Sequence, residues 1–232
     1  MFVFKRMTKT LIHGDENMTV GQAHDLMREK KIRHLPITDE AGKLLGIVSD
    51  RDVRSALPSD MVGADSPYWQ DSSYQEKAAV ILNAPVASLM TKNPVRVAPF
   101  DTLQDMLLLM QRNRVGALPV VDENGFLKGI LSAGDILNAF IEVLGITEAG
   151  TLLCVLAPSQ QGQMKKLVDV ISAEGISTGS ILVARGLRDD RKAFFPYLLT
   201  YNVARVKKRL MEEGFELLNP AEWYLDQLPK KT

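Results

Sequence analysis

Two copies of a Ser-x-x-Asp sequence carry the side chains with the clearest chemistry in this chain of 232 residues: Ser49 with Asp52, and Ser132 with Asp135. A carboxylate can accept hydrogen bonds from two adjacent hydroxyl groups of a ligand, and its charge makes these bonds stronger than neutral ones. The same spacing also fits a helix capping box, in which the pair closes the first turn of a helix. Both interpretations stay open at each aspartate.

The two pairs belong to an internal repeat. Residues 7–58 superpose on residues 90–141 at a constant offset of 83 without a gap, and 17 of the 52 aligned positions are identical. Unrelated sequences of ordinary composition would share about three. The identical positions include Met-Thr-Lys, Leu-Pro, Asp-Glu-x-Gly and Gly-Ile-x-Ser-x-x-Asp in both copies. We infer an internal duplication.

Each copy has the pattern strand, helix, strand, turn, strand, helix. Thr19 followed by Gln22 predicts a capping box, and apolar residues then recur at helical spacing. Two further strands are predicted in each copy, joined by the Asp-Glu-x-Gly turn: 32–38 and 43–49 in the first, 115–121 and 126–132 in the second. Gly46 and Gly129 would be costly in these strands unless another backbone or a ligand comes close. A helix is expected to begin near Asp52 or Asp135.

This order of elements and motifs resembles the cystathionine-β-synthase (CBS) domain, which occurs as a tandem pair that folds into one unit, the Bateman module. The first motifs are Ile-Arg-His-Leu-Pro-Ile at 32–37 and Leu-Gly-Ile-Val-Ser-Asp-Arg-Asp at 45–52. Their counterparts are Val-Gly-Ala-Leu-Pro-Val at 115–120 and Lys-Gly-Ile-Leu-Ser-Ala-Gly-Asp at 128–135. Both motifs occur twice, in the same order and at the same spacing, so the resemblance is specific.

The resemblance implies a site for an adenine-containing ligand, such as AMP, ADP, ATP or S-adenosylmethionine, in the cleft of the CBS pair. In such modules the aspartate of Ser-x-x-Asp holds the ribose. The residues implied here are the ribose acceptors Asp52 and Asp135, the neighbouring hydroxyls of Ser49 and Ser132, and Pro36 and Pro119 of the Leu-Pro pairs. The role needs no cofactor and no catalytic residue.

Phosphate groups need cations or backbone N–H groups, and the two copies differ in their cations. Three basic side chains of the first copy align with small residues of the second: Arg33, His34 and Arg51 with Gly116, Ala117 and Gly134. We therefore expect bound phosphates to lie toward the first copy. The alternative for the three basic side chains is a solvated or salt-bridged place at the surface.

The segment from about residue 147 has a different pattern. Strands are predicted over 151–157, 176–184, 193–201 and 215–219, and helices over 162–174 and 203–213. This β-α-β-β-α-β order is the ferredoxin-like arrangement. After a CBS pair, and with Gly162 opening the first helix, it resembles an ACT domain, a small regulatory fold. The whole order resembles the acetoin-utilisation protein B family, although no acetoin-specific chemistry is visible.

Composition excludes several other classes. Apolar residues make up 46% and charged residues 24%, as in globular proteins, and 28 basic against 28 acidic residues give no sign of a nucleic-acid or membrane partner. No apolar stretch approaches the ~20 residues of a membrane span, and no secretion signal is visible. With Cys154 as the single cysteine, these features predict a cytoplasmic protein.

Enzymatic and metal-binding motifs are missing from the sequence. His13, His24 and His34 lack metal-ligand spacing and have no cysteine partners. The sequence contains no nucleophile elbow, Walker A motif or dinucleotide-binding Gly-x-Gly-x-x-Gly after a strand. We therefore predict a protein that is not an enzyme.

The predicted fold class is α+β or α/β: a tandem CBS pair with a ferredoxin-like ACT-like domain. The expected domains are CBS repeat 1 at 1–58, an insert at 59–84, CBS repeat 2 at 85–146 and the ACT-like domain at 147–232. The aromatic insert residues Tyr68, Trp69 and Tyr74 are interpreted as a lid or interface, or else as a surface excursion in which Trp69 packs on the core.

The expected function is regulatory ligand sensing, in which the CBS pair acts on the ACT-like domain or on a regulated enzyme that the sequence does not identify. The resemblance implies a homodimer. Residues 107–110, Leu-Leu-Leu-Met, support a second contact surface, because one helical face cannot bury all four. The alternative function is a structural dimerisation protein whose nucleotide site has decayed.

Overall fold

The computed structural model describes residues 2–57, 72–188 and 191–218. It separates into two compact units, Met1–Ile136 and Leu137–Thr232. The insert aromatics Tyr68 and Trp69 lie outside the described residues. The finer domain boundaries, at residues 58, 84 and 146, stay predictions.

The first unit contains the first copy of the repeat and the second copy as far as Ile136. Its strands are β1 Gly14–Asp15, β2 His34–Thr38, β3 Leu44–Ser49, β4 Thr91–Lys92, β5 Ala117–Val121 and β6 Leu127–Ser132. Its helices are α1 Val20–Glu29, α2 Asp50–Ala56, α3 Ser72–Asn83 and α4 Leu103–Asn113, and α5 Ala133–Leu144 begins here. The hairpin strands begin one or two residues later than predicted and end where predicted. Helices α2 and α5 begin directly after the serines of the Ser-x-x-Asp pairs, two residues before Asp52 and Asp135.

The capping box predicted at the start of α1 is confirmed. The amide of Gln22 donates to Thr19 Oγ1 at 3.2 Å, and the amide of Thr19 donates to Gln22 Oε1 at 2.9 Å. The helix buries Val20, Ala23 and Met27 in the core of the first copy. Helical periodicity and the cap therefore agree on where α1 begins and which face it buries.

The Met-Thr-Lys segments are exchanged between the two copies. In the first copy's sheet, β3 pairs with β4 of the second copy, with Ile47 opposite Thr91. Reciprocally, Thr8 of the first copy exchanges backbone hydrogen bonds with Ile130 of β6, at 2.9 and 3.3 Å. Each copy thus completes the sheet of the other.

The two strand glycines lie at these crossings. A Cβ on Gly46 would stand 2.9 Å from the carbonyl oxygen of Thr91, and a Cβ on Gly129 would stand 2.8 Å from that of Thr8. The close neighbour predicted for each glycine is therefore the backbone of the other copy.

The two hairpin turns also meet each other. The amide of Leu44 donates to the carbonyl of Gly125, and the amide of Leu127 donates to that of Gly42, both at 3.1 Å. Both turn glycines have a φ near +85°, which a side chain would strain. Because every contact occurs once in each direction at the offset of 83, the two copies are related by an approximate twofold axis.

The second unit contains β7 Thr151–Leu152, β8 Val155–Pro158, α6 Gln163–Ala173, β9 Thr178–Arg188, β10 Arg191–Leu198, α7 Ala204–Glu212 and β11 Glu216–Leu217. Strand β10 pairs with β9 along one edge and with β7 and β8 along the other, and β8 also pairs with β11. All of these pairs are antiparallel. The apolar residues of one sheet face pack on both helices, with Leu167, Ile171, Val206 and Leu210 in the core.

The predicted strand over 151–157 is divided in the structure. The amide of Leu153 donates to the carbonyl of Pro196 at 3.0 Å, but proline has no N–H to donate in return. The ladder is therefore interrupted between β7 and β8, although Leu152 still lies opposite Tyr197 and Val155 opposite Phe194.

No helix among the described residues is long and apolar enough to cross a membrane.

Candidate functional site

The Ser-x-x-Asp pair of the first copy forms a helix cap where β3 passes into α2. The backbone amide of Ser49 donates to Asp52 Oδ2 at 2.8 Å, and the Ser49 hydroxyl donates to the same oxygen at 2.7 Å. The amide of Asp52 donates back to Ser49 Oγ at 3.3 Å. The capping interpretation of this pair is confirmed.

The pair of the second copy repeats this geometry where β6 passes into α5. The amide and the hydroxyl of Ser132 both donate to Asp135 Oδ2 at 2.7 Å, and the amide of Asp135 donates to Ser132 Oγ at 3.3 Å. In both caps the two bonds to the aspartate carboxylate end on Oδ2. Among the described residues, Oδ1 of Asp52 and Oδ1 of Asp135 accept no hydrogen bond. The cap therefore leaves one carboxylate oxygen of each aspartate available to a ligand.

Backbone hydrogen bonds bring the start of each strand beside the start of the following helix. The amide of Asp50 donates to the carbonyl of Arg33, and the amide of Ala133 donates to that of Gly116, both at 3.0 Å. Arg33, which directly precedes β2, therefore lies next to the cap that contains Asp52.

The predicted basic side chains of the first copy form one electrostatic group with Asp52. Burial lowers the pKa of His34 below its ordinary value of 6.5, the charges of Arg33 and Arg51 lower it further, and Asp52 opposes the shift. At neutral pH the His34 imidazole is therefore uncharged and can donate one hydrogen bond. The two guanidinium groups are exposed, and within the described residues neither forms an ion pair. The solvated interpretation fits both arginines within these residues, and their contact with phosphate stays a prediction.

The His34 ring also reaches the second copy. A Cβ on Gly116 would stand 3.5 Å from Cε1 and Nε2 of His34, which is ordinary van der Waals contact. The sequence holds no signal for this proximity, because His34 aligns with Ala117 and not with Gly116. A twofold relation between the copies would have been needed to infer it.

The two prolines of the candidate set are buried within their hairpins. Pro36 lies opposite Ile47, and Pro119 lies opposite Ile130. Their predicted contact with a ligand stays a prediction.

Comparison with known proteins shows which family this architecture belongs to. The family model "CBS domain" matches residues 3–59 and 86–142. A CBS domain-containing protein of Dictyostelium discoideum is 32% identical over 144 residues, which are 62% of this chain and 94% of that protein. The chain belongs to the CBS domain family and contains a tandem CBS pair.

Two solved structures are similar to part of the chain. CBSX2, solved in complex with AMP, is 33% identical with a TM-score of 0.50, and the match covers 61% of this chain and 97% of CBSX2. A Vibrio cholerae protein described as an acetoin utilization protein (AcuB) is 30% identical, also with a TM-score of 0.50. That match covers 63% of this chain and 95% of the V. cholerae protein.

Proposed function

We propose that this protein is a non-catalytic regulatory sensor that binds an adenine nucleotide, or a ligand of the S-adenosylmethionine type, in the cleft of its CBS pair. The observation that carries the proposal is Asp52, whose Oδ1 accepts no hydrogen bond among the described residues and which lies within electrostatic reach of His34. AMP in CBSX2, a relative that shares the fold, supports the choice of ligand.

Each candidate residue has a distinct role in this proposal. Oδ2 of Asp52 and of Asp135 keeps the helix cap, and Oδ1 accepts from the ribose hydroxyls. The exposed guanidinium groups of Arg33 and Arg51 bind phosphate, which suits their planar donor geometry. Ser49 and Ser132 orient the carboxylates through the caps.

We further propose that the second unit is an ACT-like, ferredoxin-like domain that responds to the ligand. The order of its elements and its antiparallel strand order β11-β8-β10-β9 support this assignment. A ligand shifts only an equilibrium between states that it binds with different affinity. Helix α5 begins at the Asp135 cap and continues into the second unit, so it is the candidate element for transmission. The proposal of a cytoplasmic location rests on the sequence alone, in which Cys154 is the single cysteine.

A ligand screen by thermal unfolding tests the proposed function. A ligand present at 100 times its dissociation constant should stabilise the folded chain by about 2.7 kcal/mol. We expect a rise in melting temperature with at least one of AMP, ADP, ATP and S-adenosylmethionine, and a smaller rise for the Asp52→Ala, Asp135→Ala double variant. If none of the four stabilises the native protein, the structural dimerisation function is favoured instead.

We expect the protein to be a homodimer whose contact includes helix α5. Leu137, Phe140 and Val143 lie at helical spacing on α5 and are 60%, 44% and 54% exposed. Residues 107–110 contribute less than the sequence suggested, because Met110 is buried and only Leu108 of the four is strongly exposed, at 47%. The double variant Leu137→Glu, Val143→Lys should sediment as a monomer at micromolar concentration.

Val80→Glu is the matched control for the dimer, because this side chain is 73% exposed and belongs to a different helix, α3. It should leave the sedimentation coefficient unchanged. A native protein that sediments as a monomer at micromolar concentration would contradict the prediction.

A further inference from the structure

The two halves of the proposed cleft have similar backbone structures but carry different charges. The caps, the hairpin turns and the exchanged segments all obey the approximate twofold relation. The cations do not. The positions equivalent to Arg33, His34 and Arg51 are Gly116, Ala117 and Gly134.

The basic group of the first copy lies close to the axis that relates the halves. The His34 ring lies beside Gly116, so close that a Cβ there would stand 3.5 Å from it, and Gly116 is the counterpart of Arg33. The twofold axis relates Arg33 to Gly116. Because His34 lies beside both of these residues, it must lie near the axis. A phosphate held by this group is therefore close to both halves of the cleft.

The available positive charge matches one phosphate group. A phosphate monoester carries a charge of about −1.5 to −2 near neutral pH. Arg33 and Arg51 together supply two positive charges, and the His34 imidazole is uncharged because burial and the two arginines lower its pKa. A second phosphate near the same axis would meet no further cation at Gly116, Ala117 or Gly134, and it would be repelled by the first.

We propose that each chain binds one phosphorylated adenine nucleotide and that the other half of its cleft accepts an uncharged nucleoside of the adenosine class. This inference rests on the proposed function. Both halves keep a ribose acceptor, Asp52 in one and Asp135 in the other, so both can hold the sugar. The cations decide how many phosphorylated ligands are bound.

Calorimetric titration of the full chain with AMP and with adenosine tests this inference. We expect one AMP site and two adenosine sites per chain, and one adenosine site remaining after saturation with AMP. Two AMP sites of the native chain, with dissociation constants within tenfold of each other, would overturn the inference and leave the proposed function intact. A single adenosine site would overturn it too. Binding of neither ligand would overturn the inference, and it would overturn the proposed function too if ADP, ATP and S-adenosylmethionine also failed to bind.

A gain of charge makes the test sharper. Gly134 is exposed, and a Cβ there would meet only Ser132 Oγ, at 3.5 Å, so a side chain fits. Gly134→Arg restores the counterpart of Arg51 and should give a second AMP site. The second half of the cleft should then bind AMP at least tenfold more tightly than it does in the native chain. Gly134→Gln is a long polar control without charge and should keep one AMP site. A second AMP site in both variants would show that charge does not set the stoichiometry.

Discussion

Asp52→Ala is expected to weaken AMP binding about 10- to 150-fold. A hydrogen bond to a charged group contributes roughly 1.5 to 3 kcal/mol, and each 1.4 kcal/mol is a factor of ten in affinity. The same substitution removes Oδ2 from the cap of α2, where it accepts from the amide and hydroxyl of Ser49 at 2.8 and 2.7 Å. The variant should therefore also lose about 1 kcal/mol of unfolding free energy. Calorimetry measures the first effect and urea unfolding the second.

Ser49→Ala separates the two roles of Asp52. It removes the hydroxyl, which accepts from the Asp52 amide and donates to Asp52 Oδ2, but the Ser49 amide still donates to that oxygen and keeps the carboxylate oriented. We expect a similar loss of stability, about 1 kcal/mol, with AMP affinity within about threefold of the native value. If the two variants lost the same affinity, Asp52 would be a helix cap without a ligand role.

The local parts of the site could be predicted because local signals determine them. A Ser-x-x-Asp spacing at the junction of a strand and a helix favours a cap independently of tertiary contacts, and both caps are present. The hairpins around Gly42 and Gly125 follow from their turn sequences in the same way. The duplication then doubled every local signal and made the CBS resemblance specific.

Contacts between the copies could not be predicted by this reasoning. Gly46 and Gly129 indicated a close neighbour, but the sequence left open whether it was a backbone or a ligand. Its identity depends on the exchange of segments, which has no local signal because Thr8 and Ile130 belong to different copies. The contact of His34 with Gly116 arises in the same way. The relation between two similar copies is a tertiary property.

Gly129→Ala is expected to destabilise the first unit by about 1 to 3 kcal/mol, the usual cost of adding a methyl group to a closely packed site. The new Cβ would stand 2.8 Å from the carbonyl oxygen of Thr8 and 3.0 Å from Met7 Sδ. The Met7 side chain can turn away, but the Thr8 backbone cannot move without weakening its two hydrogen bonds to Ile130. Each of those bonds contributes about 0.5 to 1.5 kcal/mol, so relaxing the clash does not avoid the cost.

Gly134→Ala is the matched control for this substitution, because it adds the same methyl group where Ser132 Oγ is the nearest neighbour, at 3.5 Å. Gly134 lies in the first turn of α5, where replacing glycine by alanine reduces the entropy of the unfolded chain and stabilises by about 0.4 to 1 kcal/mol. Chemical unfolding of the two variants should therefore give changes of opposite sign. If Gly129→Ala were as stable as Gly134→Ala, the first copy's Met-Thr segment would not be held against β6 in solution. The exchange between the two copies would then be absent.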